Sequence, residues 1–440
     1  MRSTDNCKRV VLLNRFFFPD RSPTSVLLSD LAFALAQRGF AVTVISSRLR
    51  YDDRDAELPA REAIRGVDIR RVWSFRSGRD HLVERSLEYL SFYLSAGFCL
   101  WRLARPGDVI IAKTDPPLLS VLASVIAKLR GAQLINWLQD LFPEVAERLG
   151  VAGVAARPLF SLLRLLRNQS LRSAIANVVL GLEMEKTLER EGIASERIRV
   201  IPNWSDGELI EPITVEKNEL RARWNLTPDD VVIGYVGNFG RVHDFDTILE
   251  AISLHQQRAE LAPAGDIIHN IVFLLVGGGA QRAKMEHEIA LRKLTNARLH
   301  PYQPSELLPQ TLSAADIHLI SLRPEMEGLI VPSKFYGIAA VARPAIFIGS
   351  SQGEIARLIE HAKCGLTVEP GNSERLLDAI ISLAQNRSVR SAMGVRARLA
   401  FEREWDKCHA LARWEMVIET AFIGLSASSP ITEFSETVTP

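Results

Sequence analysis

Val231-Val232-Ile233-Gly234-Tyr235-Val236-Gly237-Asn238-Phe239-Gly240-Arg241-Val242-His243-Asp244 opens on six residues with no charge and ends in a glycine-bearing loop. An apolar run without alternation, bounded by a turn, reads as a strand buried on both faces. Phe245 to His255 then has helical spacing. Strand, glycine loop and helix in that order make the repeating unit of an open parallel sheet, which binds its ligands beyond the carboxyl ends of the strands.

The same alternation extends in both directions. Downstream, Ile271–Val276, Ile317–Leu322, Ala345–Ile348 and Leu366–Val368 are further strands, with a helix over Ala280–Leu294. Upstream, Val10–Leu13, Ala41–Ile45, Val109–Ala112, Gln133–Trp137, Asn177–Leu180 and Arg199–Ile201 form an earlier set, with helices over Ser25–Gln37, Leu118–Leu129 and Arg157–Ser173. The turn formers Pro202-Asn203-Trp204-Ser205-Asp206-Gly207 separate the two sets. The expected fold is α/β, with two tandem Rossmann-like doubly wound domains facing each other across a cleft: residues 1–204 and 205–405. Helical segments from Glu374 to Trp414 close the chain, and the Ser-, Thr- and Pro-rich residues 426–440 are expected to be a disordered tail.

The 440 residues, at ~150 per domain, allow two or three domains. Lysine and arginine total 53 against 52 acids, a balance that argues against a nucleic-acid binder. Cys7, Cys99, Cys364 and Cys408 lie too far apart for a metal knuckle or redox pair and fit a reducing compartment. The apolar run Val10–Leu13 is too short for a signal-peptide core. Leu87–Leu103, broken by Glu88 and Arg102, falls short of the ~20 apolar residues of a spanning helix and reads as buried or lying at a membrane surface. Arg157–Arg172 interleaves leucines with arginines. It suits either an anionic membrane surface or a core-packed helix with a charged outer face.

The chemistry should lie in loops that follow strands. Gly237, Asn238 and Gly240 let a backbone approach a ligand, the next helix start offers N–H groups to phosphate, and Arg241 and His243 are candidate donors to a diphosphate. The G-x-G-x-x-G dinucleotide spacing is absent. Gly277-Gly278-Gly279 suits a close ligand or an ordinary turn. In Glu327-Gly328-Leu329-Ile330-Val331-Pro332-Ser333-Lys334, Ser333 reads as a helix N-cap and Lys334 as a first-turn lysine. A cation there opposes the helix dipole, which makes sense if lysine and helix grip one phosphate. Glu327 can take a proton or bind sugar hydroxyls. In the first half, Asp140 and Asp115 follow strands, and Ser22 and Thr24 lead into a helix start facing the same cleft. No cluster has metal-ligand spacing.

Together, Phe18-Pro19, Asp115-Pro116-Pro117, Gln139-Asp140-Leu141-Phe142-Pro143-Glu144, Ile201-Pro202-Asn203-Trp204, Tyr235-Val236-Gly237-Asn238-Phe239-Gly240, Val331-Pro332-Ser333-Lys334 and the Phe401–Trp414 region give the chain a familiar outline. It resembles the GT-B glycosyltransferases of the retaining family 4, among them bacterial enzymes that build exopolysaccharide (colanic-acid-type) or O-antigen units. The resemblance runs from about Arg9 to about Ile423. It implies an acceptor-binding first domain, a second domain for the sugar nucleotide, and a final helix over residues 406–425 that crosses back. It implies no cofactor and no metal, since the UDP- or GDP-linked sugar is itself a substrate. The partners implied are that donor and a saccharide or polyprenyl-diphosphate-linked acceptor, in the cytoplasm or on the inner face of the plasma membrane.

In such enzymes two cations hold the diphosphate and stabilise the leaving group. Lys334 with Arg241 or His243 fits these roles, with Asp140 and Glu327 completing the catalytic set. Ser22, Thr24 and Asp115 are the acceptor contacts that the resemblance implies. The family's pair of glutamates is not kept: aligning Pro344 puts Gly337 at the second, and Glu354 is the substitute polar contact. Two other functions suit the same architecture. One is a sugar-nucleotide 2-epimerase using Asp140 and Glu327 as acid and base; the other is a degenerate transferase kept as a scaffold.

Overall fold

The computed structural model describes residues 8–51, 53, 56–76, 82–151 and 157–427. The first half contains β1 (Arg9–Leu13), α1 (Pro23–Gln37), β2 (Ala41–Ser47), β3 (Arg61–Ile64), β4 (Val67–Val72), α2 (Leu82–Leu103) and β5 (Val109–Lys113). It continues through α3 (Leu119–Arg130), β6 (Gln133–Trp137), α4 (Glu144–Arg148), α5 (Arg157–Ser173), β7 (Ala176–Val179), α6 (Leu182–Arg190) and β8 (Ile198–Val200). Among the described residues these strands make one sheet in the order β3-β4-β2-β1-β5-β6-β7-β8, parallel except for β3.

The side chains of β1 show why it is apolar from Val10 to Leu13. Val10 and Leu12 enter a core shared with α1, while Val11 and Leu13 enter a second core under α2 and α3. Burial on both faces removes the need for polar alternation.

The second half contains α7 (Glu219–Arg223), β9 (Val231–Asn238), α8 (Asp246–Leu261), β10 (Ile271–Gly278), α9 (Arg282–Leu291), β11 (Ala297–His300) and α10 (Leu308–Ser313). After these come β12 (Ile317–Ser321), α11 (Lys334–Ala340), β13 (Ala345–Ile348), α12 (Glu354–Ala362), β14 (Gly365–Val368), α13 (Ser373–Gln385), α14 (Arg387–Ala400) and α15 (Lys407–Ala427). Its parallel sheet runs β11-β10-β9-β12-β13-β14. In both sheets the winding reverses beside the first strand, so the switch points lie at β1/β5 and β9/β12, where doubly wound sheets bind ligands. The expected α/β fold with two doubly wound sheets is what the chain forms.

Three strands, β3, β4 and β11, lie outside the strands expected from the sequence. The β3–β4 hairpin turns at Arg65 and Gly66, both in the left-handed region (φ 49° and 83°), as a two-residue turn that matches strand twist requires. Its signal was the alternation in Val67-Asp68-Ile69-Arg70 and the Arg-Gly turn. The edge strand β11 is only half-buried and carries no such pattern.

After α14 the chain returns to the first half. Trp414 of α15 packs on Trp137 with ring centroids 4.6 Å apart, and Trp204 stacks on Trp137 at 5.7 Å. The two crossing segments run together: Ser205 and Asp406 form a parallel bridge, and the Lys407 N–H donates to the Ser205 carbonyl at 3.0 Å. Residues 428–440, most of the expected tail, lie outside the described residues.

α5 overturns one of its two readings. Its outer face is not mainly charged: Arg157 and Arg172 are exposed at its two ends, but leucines line the middle. Arg167, Asn168 and Ser170 are buried, whereas Leu159, Leu162, Leu165 and Leu166 are exposed. Arg167 is held inside by Glu144, Nη2 to Oε1 at 2.8 Å, and by Asn168. No helix among the described residues is long and apolar enough to cross a membrane.

Candidate active site

The halves meet through loops that follow strands: after β6 with after β12, after β1 with after β11 (Arg21 with Glu306), and after β7 with after β13 (Glu183 with Glu354). The seam is stitched by backbone: Asp140 and Ile330 form an antiparallel bridge, and the Leu141 N–H donates to the Leu329 carbonyl at 2.9 Å. This contact brings Asp140 and the Glu327 loop together from opposite halves.

On the second half, Lys334 begins α11. Its Nζ is enclosed, has no hydrogen-bond partner, and lies 3.6 Å from the centroid of the Tyr235 ring. Burial holds its ammonium pKa well below that of a free lysine. Gly237 lies directly beside it, since a Cβ built there would stand 3.5 Å from Lys334 Cε and 3.6 Å from Nζ. An enclosed cation without an acceptor costs desolvation energy, and an anionic ligand reaching it would offset that cost. Ser333 occupies the N-cap position, but its exposed hydroxyl makes no capping bond, contrary to the expected cap.

His243 does not supply the second cation. Its buried Nδ1 faces the Ser321 carbonyl at 2.5 Å, so Nδ1 carries the proton and Nε2 keeps a lone pair. Burial, reinforced by the charge of Lys334, lowers its pKa to about 3, and the ring is neutral at ordinary pH. Arg241 is exposed, and no hydrogen bond or ion pair engages its side chain among the described residues. Arg323, which the sequence reading passed over, lies nearer: its Nε approaches the His243 carbonyl at 3.4 Å, and its charge helps depress the His243 pKa. Its signal was its place two residues beyond β12.

The glycines have internal reasons. Gly277 (φ 151°) has no room for a Cβ, which would stand 1.9 Å from the Gly237 carbonyl oxygen, so its close approach is to the neighbouring loop. Gly278 packs under the Tyr302 ring, whose hydroxyl donates to the Gly278 carbonyl at 3.2 Å. A Cβ on Gly240 would meet Asn238 Nδ2 at 3.1 Å, so the bare glycine leaves room for the exposed Asn238 amide.

Glu327 is half-buried. Its Oε2 accepts the Glu354 N–H at 3.3 Å, and its Oε1 is enclosed without a partner. Burial and the nearby charges of Glu354 and Glu183 push its pKa up to about 7. Glu354 is not the free polar contact expected. It is buried, and its Oε2 accepts the Glu183 N–H at 3.2 Å and an Arg357 Nη2 bond at 2.7 Å. Gly337 is buried in α11, and a Cβ there would point at Leu312 Cδ1, 3.2 Å away.

On the first half, the fully buried Lys113 organises the loops. Its Nζ donates to the Thr24 carbonyl at 2.9 Å and lies 3.8 Å from the Trp137 ring centroid. Burial lowers its pKa well below the usual value, while Asp115, Asp30 and Asp140 pull the other way. A lysine ending the apolar run Val109-Ile110-Ile111-Ala112 was the overlooked sign. Asp140 is exposed to solvent at the seam, and partial desolvation of its carboxyl, with the charge of Asp115, raises its pKa to about 6. Asp115 pairs with Arg15, Nε to Oδ1 at 3.3 Å. The Ser22 hydroxyl is buried without a partner, and Thr24 contributes its carbonyl to Lys113.

The site is therefore a seam with an enclosed cation on one wall, carboxylates of raised pKa on both walls and a neutral imidazole. Residues 24–204 match the family model described as glycosyl transferase 4-like domain, and residues 216–400 match glycosyl transferases group 1. A protein of Escherichia coli (strain K12) assigned as the colanic acid biosynthesis glycosyl transferase WcaI is 27% identical over 303 residues, 68% of this chain and 72% of that protein. Sucrose-phosphate synthase from Thermosynechococcus elongatus superposes with a TM-score of 0.71 at 18% identity, over 95% of this chain and 100% of that one. HepE of Anabaena in complex with UDP-glucose superposes with a TM-score of 0.66 at 14% identity, over 95% of this chain and 99% of that one.

Proposed function

Because the chain belongs to the GT-B glycosyltransferases of family 4, we propose that it transfers a sugar from a nucleoside-diphosphate donor to a lipid-linked saccharide in bacterial surface-polysaccharide assembly. The observation that carries the donor site is Lys334 Nζ, enclosed and unpartnered beside Gly237. In this reading the bond from the sugar's anomeric carbon to the phosphate oxygen breaks and nucleoside diphosphate leaves. The acceptor hydroxyl oxygen joins that carbon from the same face, so configuration is retained, and its proton passes to the departing phosphate oxygen. The growing charge on that oxygen is met by side chains, with no metal ion used: Lys334 in place, and Arg323 and Arg241 from the loops after the adjacent strands β12 and β9.

Glu327 binds a sugar hydroxyl through its unpartnered Oε1, and His243 Nε2 accepts another. Asp140, held by the Ile330 bridge, orients the acceptor over the floor that Lys113 and Asp115 build. The lipid link places the enzyme at the inner face of the plasma membrane. The raised pKa values of Asp140 and Glu327 across one seam favour a second reading, epimerisation of the donor's own sugar, which needs an acid and a base on either side of it.

Mass spectrometry of reactions with a panel of UDP- and GDP-sugars, with and without solubilised polyprenyl-diphosphate saccharide, separates the two. Acceptor-dependent release of nucleoside diphosphate with a heavier lipid saccharide is the expected result. A changed sugar nucleotide without acceptor would establish the epimerase instead.

A further inference from the structure

The first half carries an apolar face that its own fold leaves uncovered. On α2, Leu87, Leu90, Leu94, Phe98 and Trp101 follow three- and four-residue spacing along one line, and all are exposed, Leu94 by 67%. α3 packs beside α2 and adds Val125 and Leu129, and α5 packs beside α3 and adds its four outward leucines. Three neighbouring helices on one side of the sheet thus turn leucines and aromatics to water, while α5 buries an arginine (3% exposed) that could have been placed outside. An exposed apolar area this continuous marks an interaction surface.

We propose that the α2–α3–α5 face docks on an anionic lipid bilayer. Charge chooses this occupant. α3 and α5 contain no acidic residue, and the cations around the face include Arg102, Lys128, Arg130, Arg157 and Arg172. Glu88 of α2 is turned inward to Arg15, Nη1 to Oε1 at 3.0 Å. The guanidinium of Arg102 lies 4.6 Å from the Phe98 ring centroid, and that of Arg130 lies 5.2 Å from the Trp101 centroid. Each pairs an aromatic ring with a cation, the combination that the boundary between acyl chains and headgroups favours. Two copies of this chain meeting face to face would bring like charges together.

Position agrees with charge. α2 begins beside the acceptor-side loops, where Arg15 joins Glu88 to Asp115 and the Tyr93 hydroxyl donates to the Pro117 carbonyl. A groove of about 390 Å³ opens here, lined by Phe98, Trp73, Cys99 and Leu103 together with Arg70 and Arg102. A saccharide whose lipid lies in the membrane would enter the cleft from this side. The proposal deepens the lipid-linked reading but is tested without any sugar transfer.

The test is co-sedimentation of the full chain with phosphatidylcholine vesicles, with and without phosphatidylglycerol. The wild type is expected to bind the mixed vesicles at least about tenfold more tightly than the neutral ones. Leu94→Glu/Leu165→Glu, both on exposed positions, should weaken binding by at least about tenfold with an unchanged melting temperature, and Met416→Glu on the far side should bind as wild type. If the paired variant loses stability, Leu94→Ser/Leu165→Ser gives the same comparison. Failure of the wild type to bind anionic vesicles at low salt, or equal binding by the paired variant, overturns the proposal. So does a wild-type dimer that the paired variant dissociates, which would make a second copy the occupant. Turnover of a water-soluble acceptor by the paired variant at wild-type rate would leave the transferase reading standing in either case.

Discussion

Glu354, the first residue of α12 in the second half, caps a helix of the first: its carboxylate accepts the Glu183 N–H near the start of α6, 3.2 Å away across the cleft. Gly181 makes room, because a Cβ there would stand 2.2 Å from Glu354 Cδ. Arg357 holds the same carboxylate at 2.7 Å. A helix cap supplied by the opposite domain exists only when the domains are together, so it stabilises the closed arrangement.

Losing a cap costs about 1 kcal/mol, or roughly a fivefold shift in an equilibrium. Glu354→Ala should therefore shift the enzyme toward open forms, with a larger radius of gyration in solution scattering and a raised donor KM. Gly181→Ala should act in the same direction by displacing the carboxylate. Unchanged scattering and KM in both variants would remove the clasp.

Lys334 sets stability against function. Its enclosed, unpartnered ammonium is a burden to the empty protein. Lys334→Met keeps the volume and removes the charge, and should raise the melting temperature by a few degrees, equivalent to about 1 kcal/mol. The same variant should lose on the order of 10²–10³ in kcat and the thermal shift given by nucleoside diphosphate. A lower melting temperature with full activity would mean that Lys334 packs the core and touches no phosphate.

Much of this arrangement was legible because buried parallel strands announce themselves: Val231–Val236 and Val10–Leu13 have nowhere to go but between two helical layers. Lys334 was legible as a lysine placed against a helix dipole. The charge state of His243 was not, because the Ser321 carbonyl that fixes its tautomer lies 78 residues away. Glu354 read as a ligand contact for the same reason, since its partner at Glu183 comes from the other half of the chain. Gly277 suited a close ligand or an ordinary turn, and the backbone it admits is that of Gly237. In each case the residue type signalled a constraint, and only the fold identified the second party.

Glu327 should leave a mark on stability as pH changes. An unfolded glutamate titrates near 4.5, whereas burial and then the charges of Glu354 and Glu183 raise the folded value to about 7. Between these values the folded protein holds a proton that the unfolded chain has lost, so stability falls as pH rises through this window and levels off above it. The loss is on the order of 3 kcal/mol. Glu327→Gln, neutral throughout, should gain stability over wild type from pH 5 to pH 7, measured by urea unfolding. A difference that stays constant with pH would show that Glu327 titrates as a free carboxylate.

Trp414 is fully buried against Trp137, which is itself stacked on Trp204 beside the crossing segments. The Trp204 indole N–H donates to Asp30 on α1, so the return helix, the joint and the first sheet share one packed cluster. Trp414→Ala would leave a cavity under β6, at a cost of about 3–5 kcal/mol. Met416, two residues along the same helix, is 62% exposed, and Met416→Ala should stay within about 0.5 kcal/mol of wild type. Urea unfolding followed by tryptophan fluorescence measures both. If Trp414→Ala were as mild as Met416→Ala, α15 would be an appendage; the expected loss makes it a structural part of the first domain, although it comes last in the chain.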